Sequence, residues 1–284
     1  MRINDLDGKV EPSKVYWAET DLEQAREAKP PYDKVHQSGL VEGRFIYSSA
    51  VAKHVLPFAV RDPVPVVLPI AVNNEGLISV RDSQGLRREG FREFAKWMRQ
   101  GEDIWKAKRE AKAERQSLYE RLDYQRGLSV QALSQRYLVL FNKSGTNVSA
   151  ACFDRNSFAM PFVVDYTLYW AAFSSETEAD YVAAVLNSSI ANIAIKPFQS
   201  TGLLGERDVT KKLLELPIPM FDHQDSKHIR LSELGIKARK AAYNALLCSQ
   251  FPGGSSTARQ RSFMRRVVES ELEEIDKLVS ALLG

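Results

Sequence analysis

Hydrogen-bonding and basic side chains are concentrated in the loop from Lys196 to Gly205 and in the segment after it. Amides and hydroxyls can read base edges in the major groove of DNA, whereas lysine and arginine neutralise phosphates. Glycines at 202 and 205 leave the backbone free to fit a groove. The pattern predicts a DNA-reading loop, with an ordinary surface loop as the structural alternative. Its predicted contacts are Lys196, Gln199, Ser200, Thr201, Arg207, Lys211 and Lys212.

A second polar segment, Asn142 to Asn147, lies between two apolar runs. Lys143 could neutralise a phosphate, and the asparagines at both ends could pair with adenine in the major groove. Ser144 adds a hydroxyl, and Gly145 would allow a close approach of the backbone. These residue types also suit a hairpin turn that needs no ligand, so DNA contact and plain turn formation both remain open.

A charged helical stretch is predicted from Leu86 to Arg126. Its basic residues could follow DNA phosphates, since bound lysine and arginine release counterions from the duplex. The alternative is a solvated helix face on which Glu110 and Glu114 pair in helical register. The basic residues concerned are Lys106, Lys108, Arg109, Lys112 and Arg115.

Two segments could suggest metal or nuclease chemistry. Asp222 to His228 holds two histidines and two carboxylates, but ligand histidines usually lie closer in helical spacing, and Asp225 or Ser226 suits a helix N-cap. Glu-Ala-Lys at 27–29 and at 110–112 resembles the end of a nuclease motif without a preceding aspartate on a strand. The sequence therefore predicts no metal-binding residue and no nuclease site.

Composition allows one large domain or two smaller ones, because 44% of the 284 residues are hydrophobic. The net charge of +3 is small, so the nucleic-acid argument rests on where the charges lie. Cys152 and Cys248 are far apart in sequence and lack the spacing of a metal site. They also offer no disulfide framework, which is typical of a protein in a reducing compartment. Without a signal peptide or an apolar run of roughly twenty residues, we expect a cytoplasmic protein with no membrane partner.

The elements that must position the two polar loops are strands and short helices. Hairpins are predicted in Gly43 to Val80, and strands at Tyr137 to Phe141 and at Phe162 to Phe173. A helix is predicted from Ala179 to Leu186, after a Ser-Glu-Thr-Glu run with the spacing of a capping box. Leu213 to Pro219 contains two prolines and is interpreted as an edge strand.

The C-terminal region is predicted to be a pair of helices. Leu231 to Gln250 forms the first, a Pro-Gly-Gly-Ser-Ser linker follows, and Arg261 to Leu283 forms the second. An apolar stripe on the second helix predicts that it packs against the first, or that it joins two chains. The stripe consists of Val268, Leu272, Ile275, Val279 and Leu282.

Several short phrases, taken in order, resemble a known family. The chain from residue 120 onward resembles the C-terminal target-recognition part of N6-adenine DNA methyltransferases of restriction-modification systems. Type I specificity subunits have a similar order of sequence motifs. The phrases are ERLDYQ (120–125), LFNKSGT (140–146) with Ala150-Ala151, DYTLYW (165–170), LNSS (186–189), RDVTKK (207–212), LELPIP (214–219) and Phe221-Asp222.

The elements and the resemblance together predict an α/β protein of the α+β type. It would have a mixed or antiparallel sheet, peripheral helices and a C-terminal helical pair. The predicted division is a lead-in segment at 1–34, a target-recognition-like domain at 35–222 with a charged helical insert near 86–126, and C-terminal helices at 223–284.

The resemblance implies a module that recognises double-stranded DNA and presents an adenine to a methyltransferase domain in the same or a partner chain. S-adenosylmethionine would be the cofactor of the parent enzyme and would not bind here, since a glycine-rich cofactor turn is missing. Lys29-Pro30-Pro31-Tyr32 resembles the Asn-Pro-Pro-Tyr motif that holds the target amine, but lysine replaces asparagine, which favours a plain turn. The fragment is therefore predicted to be non-catalytic. The alternative is a protein-interaction or scaffolding domain of a restriction or defence complex.

Overall fold

Two compact units form the chain in a computed structural model that describes residues 2–3, 9–202, 205–206, 209, 213 and 215–283. Unit 1 consists of Met1–Ser49, Val64–Ser134 and Phe158–Val164. Unit 2 consists of Ala50–Pro63, Gln135–Ser157 and Asp165–Gly284. Each unit is discontinuous in sequence, whereas the predicted division at residues 34 and 222 was contiguous.

The fold is a mixture of antiparallel strands and helices with helices at the C-terminus, which confirms the predicted class. The strands are β1 (Arg2–Ile3), β2 (Val15–Glu19), β3 (Ser38–Glu42), β4 (Ile46–Ser49), β5 (Val55–Leu56), β6 (Ala59–Val60), β7 (Val64–Val67), β8 (Ile70–Val72), β9 (Ile78–Val80), β10 (Tyr137–Asn142), β11 (Ala150–Asp154), β12 (Leu168–Phe173), β13 (Thr201–Gly202) and β14 (Gly205–Glu206). The helices are α1 (Leu22–Ala25), α2 (Ser83–Arg88), α3 (Arg92–Lys108), α4 (Leu118–Leu122), α5 (Glu176–Asn187), α6 (Ser189–Ile195), α7 (Ser226–Leu246), α8 (Thr257–Val267) and α9 (Glu269–Leu283).

Unit 1 packs α3 against a three-stranded antiparallel sheet of order β1-β2-β3. Residues alternate along β2, so that Tyr16 and Ala18 face the core while Trp17 is exposed. Phe45 and Phe94 stack in that core with ring centres 4.3 Å apart. The predicted hairpins between residues 43 and 80 are confirmed by the antiparallel pairs β4–β7 and β8–β9 in this unit and β5–β6 in unit 2.

The N-terminus of α3 is capped by a residue from the neighbouring strand. The carboxylate of Glu42 accepts hydrogen bonds from the backbone N–H groups of Glu93, at 3.3 Å, and Phe94, at 2.8 Å. Phe91, which precedes the helix, makes no side-chain cap. A carboxylate at a helix N-terminus satisfies unpaired N–H groups and complements the helix dipole, so β3 fixes where α3 begins.

Unit 2 is built on an antiparallel sheet of order β11-β10-β12. Five of the six residues of the central strand β10 are buried, which requires cover on both faces of the sheet, because successive side chains of a strand point to opposite faces. The helix α5 packs on the sheet, and β5 also contacts β10. A strand that is buried on both faces has a continuous apolar sequence, as Tyr137 to Phe141 does. The second predicted strand is shorter than expected, since β12 begins at Leu168 rather than at Phe162.

The helix α5 is buried on both sides and joins the sheet to the C-terminal helices. One face packs on β10 and β11, and the opposite face, with Tyr181 and Val185, packs on α7. Its predicted capping box does not form a side-chain hydrogen bond at Ser175. Tertiary packing therefore decides the position of this helix more than its local start signal does.

The C-terminal helices pack against each other as predicted. Leu231 and Leu234 of α7 share one buried cluster with Val268, Ile275 and Val279. The predicted final helix is divided into α8 and α9 at Val268, where the backbone has φ −111° and ψ 25°. None of the helices within the described ranges is both long enough and apolar enough to pass through a bilayer.

Two local predictions differ from the structure. The charged helix predicted as far as Arg126 ends at Lys108, and Lys112 pairs with Glu110 in an exposed turn rather than in helical register. The predicted edge strand at 213–219 is not formed by the part of that segment that is described. Its prolines come after Leu216, whose N–H donates to the carbonyl oxygen of Leu213 at 3.4 Å.

Candidate nucleic-acid interface

The polar turn Asn142–Asn147 begins directly where β10 ends, and the buried side chain of Asn142 shapes it. Its Nδ2 donates to the carbonyl oxygens of Ser144, at 2.7 Å, and Asn147, at 3.2 Å. Its Oδ1 accepts from the N–H of Ser149 at 2.7 Å. The side chain is 0% exposed. Asn142 was predicted to read a base, but its amide forms hydrogen bonds that close the turn. It is therefore not part of the candidate interface.

Gly145 occupies the tightest position of this turn. Its φ of +129° is a backbone conformation that favours glycine. A Cβ atom here would lie 3.0 Å from Nη1 of Arg261 and 3.1 Å from Nδ2 of Asn142. The glycine is therefore required by the turn itself, independently of any close approach by a ligand.

Two buried asparagines of the helical segment hold the return strand in place. Asn187 donates to the carbonyl oxygen of Ala150 at 2.7 Å and accepts from its N–H at 3.0 Å. The Oδ1 of Asn192 accepts from the N–H of Val148 at 2.7 Å. These three hydrogen bonds satisfy backbone groups that are buried away from water, and they fix the base of the turn to α5 and α6.

Gln199 connects the loop that begins at Lys196 with the turn Asn142–Asn147, the two segments that were each predicted to contact DNA. It is 8% exposed, and its Nε2 donates to the carbonyl oxygens of Thr146, at 3.2 Å, and Gly145, at 3.4 Å. The loop after α6 thus lies against the turn after β10, although more than fifty residues separate them in sequence. Gln199, predicted as a base reader, points inward and serves this connection.

The solvent-exposed side chains of the turn and of the loop form a polar surface, which we call the turn–loop surface. It is defined by the exposed residues of the two connected segments, with the ring of Phe198 54% exposed. The half-buried Lys143 lies beside it: its ammonium donates to the carbonyl oxygen of Tyr166 and lies 4.8 Å from the centre of the Tyr169 ring. The members of the surface are Ser144, Thr146, Asn147, Lys196, Phe198 and Ser200.

Two half-buried arginines of α8 lie under the turn. Arg261 donates to the carbonyl oxygens of Val55, at 3.1 Å, and Ala52, at 2.6 Å. Arg265 donates to those of Val148, at 3.1 Å, and Asn187, at 3.3 Å. Burial, and repulsion from Arg265, lower the pKa of Arg261 to about 10, so it stays charged at neutral pH. These charges make the underside of the turn positive.

The predicted basic segment falls only partly within the described residues. Arg207, Lys211 and Lys212 lie outside them, and of Thr201 only the backbone, in β13, is described. Val209, which lies between Arg207 and Lys211, donates its N–H to the carbonyl oxygen of Lys143 at 3.0 Å. The chain at residue 209 therefore passes beside the turn.

The histidine-rich segment at 222–228 caps a helix. Asp225 accepts from the N–H groups of Lys227 and His228 at the start of α7, and His228 accepts from the N–H of Asp222 at 3.0 Å. In the part of the chain that the structure describes, no three His, Cys, Asp or Glu side chains are grouped as metal ligands would be. Of the two residues predicted as the N-cap, Asp225 and Ser226, Asp225 takes that position.

Sequence reasoning missed Thr146 and the two arginines of α8. Arg261 and Arg265 are four residues apart, which places them on one helix face. That spacing was a visible signal, but a basic helix face is usually solvated, and only the fold turns this one inward.

Comparison with known proteins does not assign a function to this surface. No protein-family model matches the chain, and no curated protein sequence matches it either.

Proposed function

We propose that this chain is a sequence-specific DNA-recognition module of an N6-adenine DNA methyltransferase of the restriction-modification type. The module would grip double-stranded DNA, and a separate domain that binds S-adenosylmethionine would methylate the adenine. The observation that supports the proposal best is the connection through Gln199. Two segments that were marked independently as DNA contacts lie side by side and present one surface.

The chemistry of the turn–loop surface suits a duplex groove. Hydroxyls of Ser144, Thr146 and Ser200 can both donate and accept, as base edges and phosphates require. Lys196 and Lys143 can neutralise phosphates, and the charged Arg261 and Arg265 add a positive field from below. A rigid base also suits recognition, since polar contacts read a sequence only when they are held in place.

Base flipping explains why such a module would be needed. A methyltransferase must take its adenine out of the stack, which requires the duplex to be held while one nucleotide leaves. The recognition module would supply that grip and the sequence preference, and it would carry out no chemical step itself.

Binding to a pool of duplexes with a randomised central segment, measured over a range of salt concentrations, tests the proposal. The wild type should enrich one sequence class. Lys196→Ala and the double variant Lys211→Ala/Lys212→Ala should weaken binding to all duplexes and lower the salt dependence by about 0.9 in log–log slope for each phosphate that is no longer neutralised. Ser200→Ala should instead relax the preference at one base pair, at a cost of about 1–3 kcal/mol.

The matched control is Lys277→Ala, which removes an exposed lysine of α9 that belongs to neither segment. It should bind as the wild type does. If the wild type binds no duplex even at low salt, the proposal fails, and the protein-interaction function becomes the better explanation of the terminal helices.

A further inference from the structure

A groove in unit 1 is lined by positive side chains that do not belong to the turn–loop surface. It lies between α2 and α3 and has a volume of about 1050 Å³. Arg92, Lys96 and Arg99 follow one another at four and three residues along α3, so they share a face of that helix. The exposed polar side chains that line the groove are Gln84, Arg87, Arg92, Lys96, Arg99 and Gln100.

Two of these cations have no ion-pair partner among the residues that the structure describes. Lys96 pairs with Glu93 at 2.8 Å, and Arg99 lies 3.5 Å from Glu102. Arg87 and Arg92 form no ion pair with any residue that the structure describes. Because both guanidinium groups face the same groove, it presents uncompensated positive charge and fits an anionic ligand with more than one phosphate.

An aromatic depression continues the groove at Lys96 and Gln100. It is lined by Trp17, Leu40 and Trp97, and its volume is about 230 Å³. Trp17 is 44% exposed and Leu40 is 42% exposed, and the two residues face each other across β2 and β3. The strand alternation that buries Tyr16 and Ala18 leaves this indole outside the core.

We propose that this aromatic–basic groove, defined by Arg87, Arg92, Lys96, Arg99, Trp17 and Trp97, binds an unpaired nucleic-acid strand. The arginines hold successive phosphates, and an unpaired base stacks on the indole of Trp17. Phosphates alone would not distinguish a single strand from a duplex. The exposed indole does, because an unpaired base can lay its flat face on a side chain without the cost of unstacking a duplex.

This inference goes beyond the proposed function and does not depend on it. All of the groove residues belong to unit 1, and all members of the turn–loop surface belong to unit 2. Stacking on an aromatic side chain tolerates any base, so the groove should show little sequence preference. It would suit a strand that is displaced or extruded from a duplex.

The test uses the full chain and a short fluorescein-labelled oligothymidine, with a duplex of equal length for comparison. The wild type should bind the single strand, and its tryptophan fluorescence should be quenched on binding. Trp17→Ala should weaken single-strand binding by roughly tenfold or more, and Trp17→Phe should retain most of it. Arg87→Ala/Arg92→Ala should weaken it too and lower the salt slope by about 0.7 for each phosphate that is no longer neutralised.

The matched control is Arg88→Ala, which removes the exposed arginine next to Arg87 that does not line the groove. It should bind as the wild type does. The variant Lys196→Ala should keep single-strand binding, which separates this site from the proposed duplex surface. Because Trp17 is an exposed side chain, its variants should fold, and thermal melting verifies this.

Three outcomes would overturn the inference. The first is single-strand binding that Trp17→Ala leaves unchanged. The second is equal weakening by Arg88→Ala and by Arg87→Ala/Arg92→Ala, which would show non-specific attraction. The third is self-association of the wild type in sedimentation that Trp17→Ala abolishes, because the groove would then be occupied by a second copy of the chain.

Discussion

At the scale of single residues, the sequence identifies hydrogen-bonding groups but does not show which way they point. Asn142 and Gln199 have the chemistry of base readers, yet both are buried and bind backbone carbonyl groups of the turn. Ser144 and Ser200, from the same segments, are exposed. A buried amide must find protein partners, and only the three-dimensional path of the chain decides which of several amides is buried.

The ion pair between Asp180 and Arg239 is the buried contact with the clearest consequence. Arg239 donates to both carboxylate oxygens at 2.9 and 2.8 Å, and the side chain of Asp180 is 1% exposed. Burial raises the pKa of Asp180 above its ordinary value. Removing the arginine would leave a buried carboxylate without its counterion.

We predict that Arg239→Ala lowers the free energy of unfolding by about 3–5 kcal/mol at neutral pH, measured by urea denaturation. The deficit should shrink as the pH falls, since protonation of Asp180 removes the uncompensated charge. Arg230→Ala on the same helix removes an exposed arginine that pairs with Glu233 and Glu274. It should cost less than about 1 kcal/mol. Equal destabilisation by the two variants would contradict the prediction.

At the scale of elements, patterns that depend on local periodicity predicted the fold well. The antiparallel hairpins, β10, α5 and the packing of α7 with the last helix follow from alternation, helical stripes and turn residues. Elements fixed by distant residues were predicted less well. The start of α3 depends on Glu42 of β3, and no reading of the residues around Phe91 contains that information.

The close approach of α5 and α7 depends on one glycine. A Cβ atom on Gly235 would lie 2.4 Å from the carbonyl oxygen of Asp180, which belongs to the backbone of α5 and cannot rotate away. Alanine is favoured over glycine within a helix by about 1 kcal/mol. The clash should exceed this gain.

We therefore predict that Gly235→Ala destabilises the protein by roughly 1–3 kcal/mol, measured by urea denaturation. Gly101→Ala is the matched control, because its Cβ would meet only the ends of two flexible side chains, those of Leu118 at 3.2 Å and Gln37 at 3.9 Å. That variant should be neutral or slightly stabilising. A stabilised Gly235→Ala variant would mean that the two helices can separate without cost.

The N-cap of α7 should make stability depend on pH. Hydrogen bonds from the N–H groups of Lys227 and His228 to Asp225 hold the pKa of its carboxyl below the ordinary value. A lowered folded-state pKa contributes stability above the unfolded pKa, near 4 for aspartate, and loses it as the pH falls through the folded value. Asparagine can cap a helix but does not titrate.

Accordingly, Asp225→Asn should be less stable than the wild type near neutral pH, and the difference should disappear in acid. Urea midpoints measured between about pH 3 and pH 7 show this directly, since the unfolded aspartate titrates near 4. A difference that stays constant over the whole range would show that the charge of Asp225 contributes nothing to the cap.

At the scale of the whole molecule, the C-terminal helices complete the core of unit 2. Met264, Val268, Ile275 and Val279 are each 0% exposed. Burial of one such side chain contributes about 1.5–3 kcal/mol, and a domain is stable by only about 5–15 kcal/mol in total. Unit 2 therefore depends on α8 and α9.

Removal of all residues after Pro252 should abolish cooperative unfolding of unit 2 or lower its melting temperature strongly, as followed by circular dichroism. Ile275→Ala offers a milder change that should still fold and should cost about 2–5 kcal/mol. A truncated chain that melts at the wild-type temperature and remains monomeric would show that the stripe is not packed against α7.

The division into two units has a consequence for how this protein could change by recombination. The chain passes between the units five times, after residues 49, 63, 134, 157 and 164. A gene segment encoding 165–284 would carry the helices of unit 2 but leave behind β10 and β11, and with them the turn under which Arg261 and Arg265 lie. Exchange of one continuous segment would thus transfer only part of the hydrophobic core of unit 2. Changes in the chemistry of the turn–loop surface should therefore arise by substitution of its exposed residues rather than by exchange of either unit.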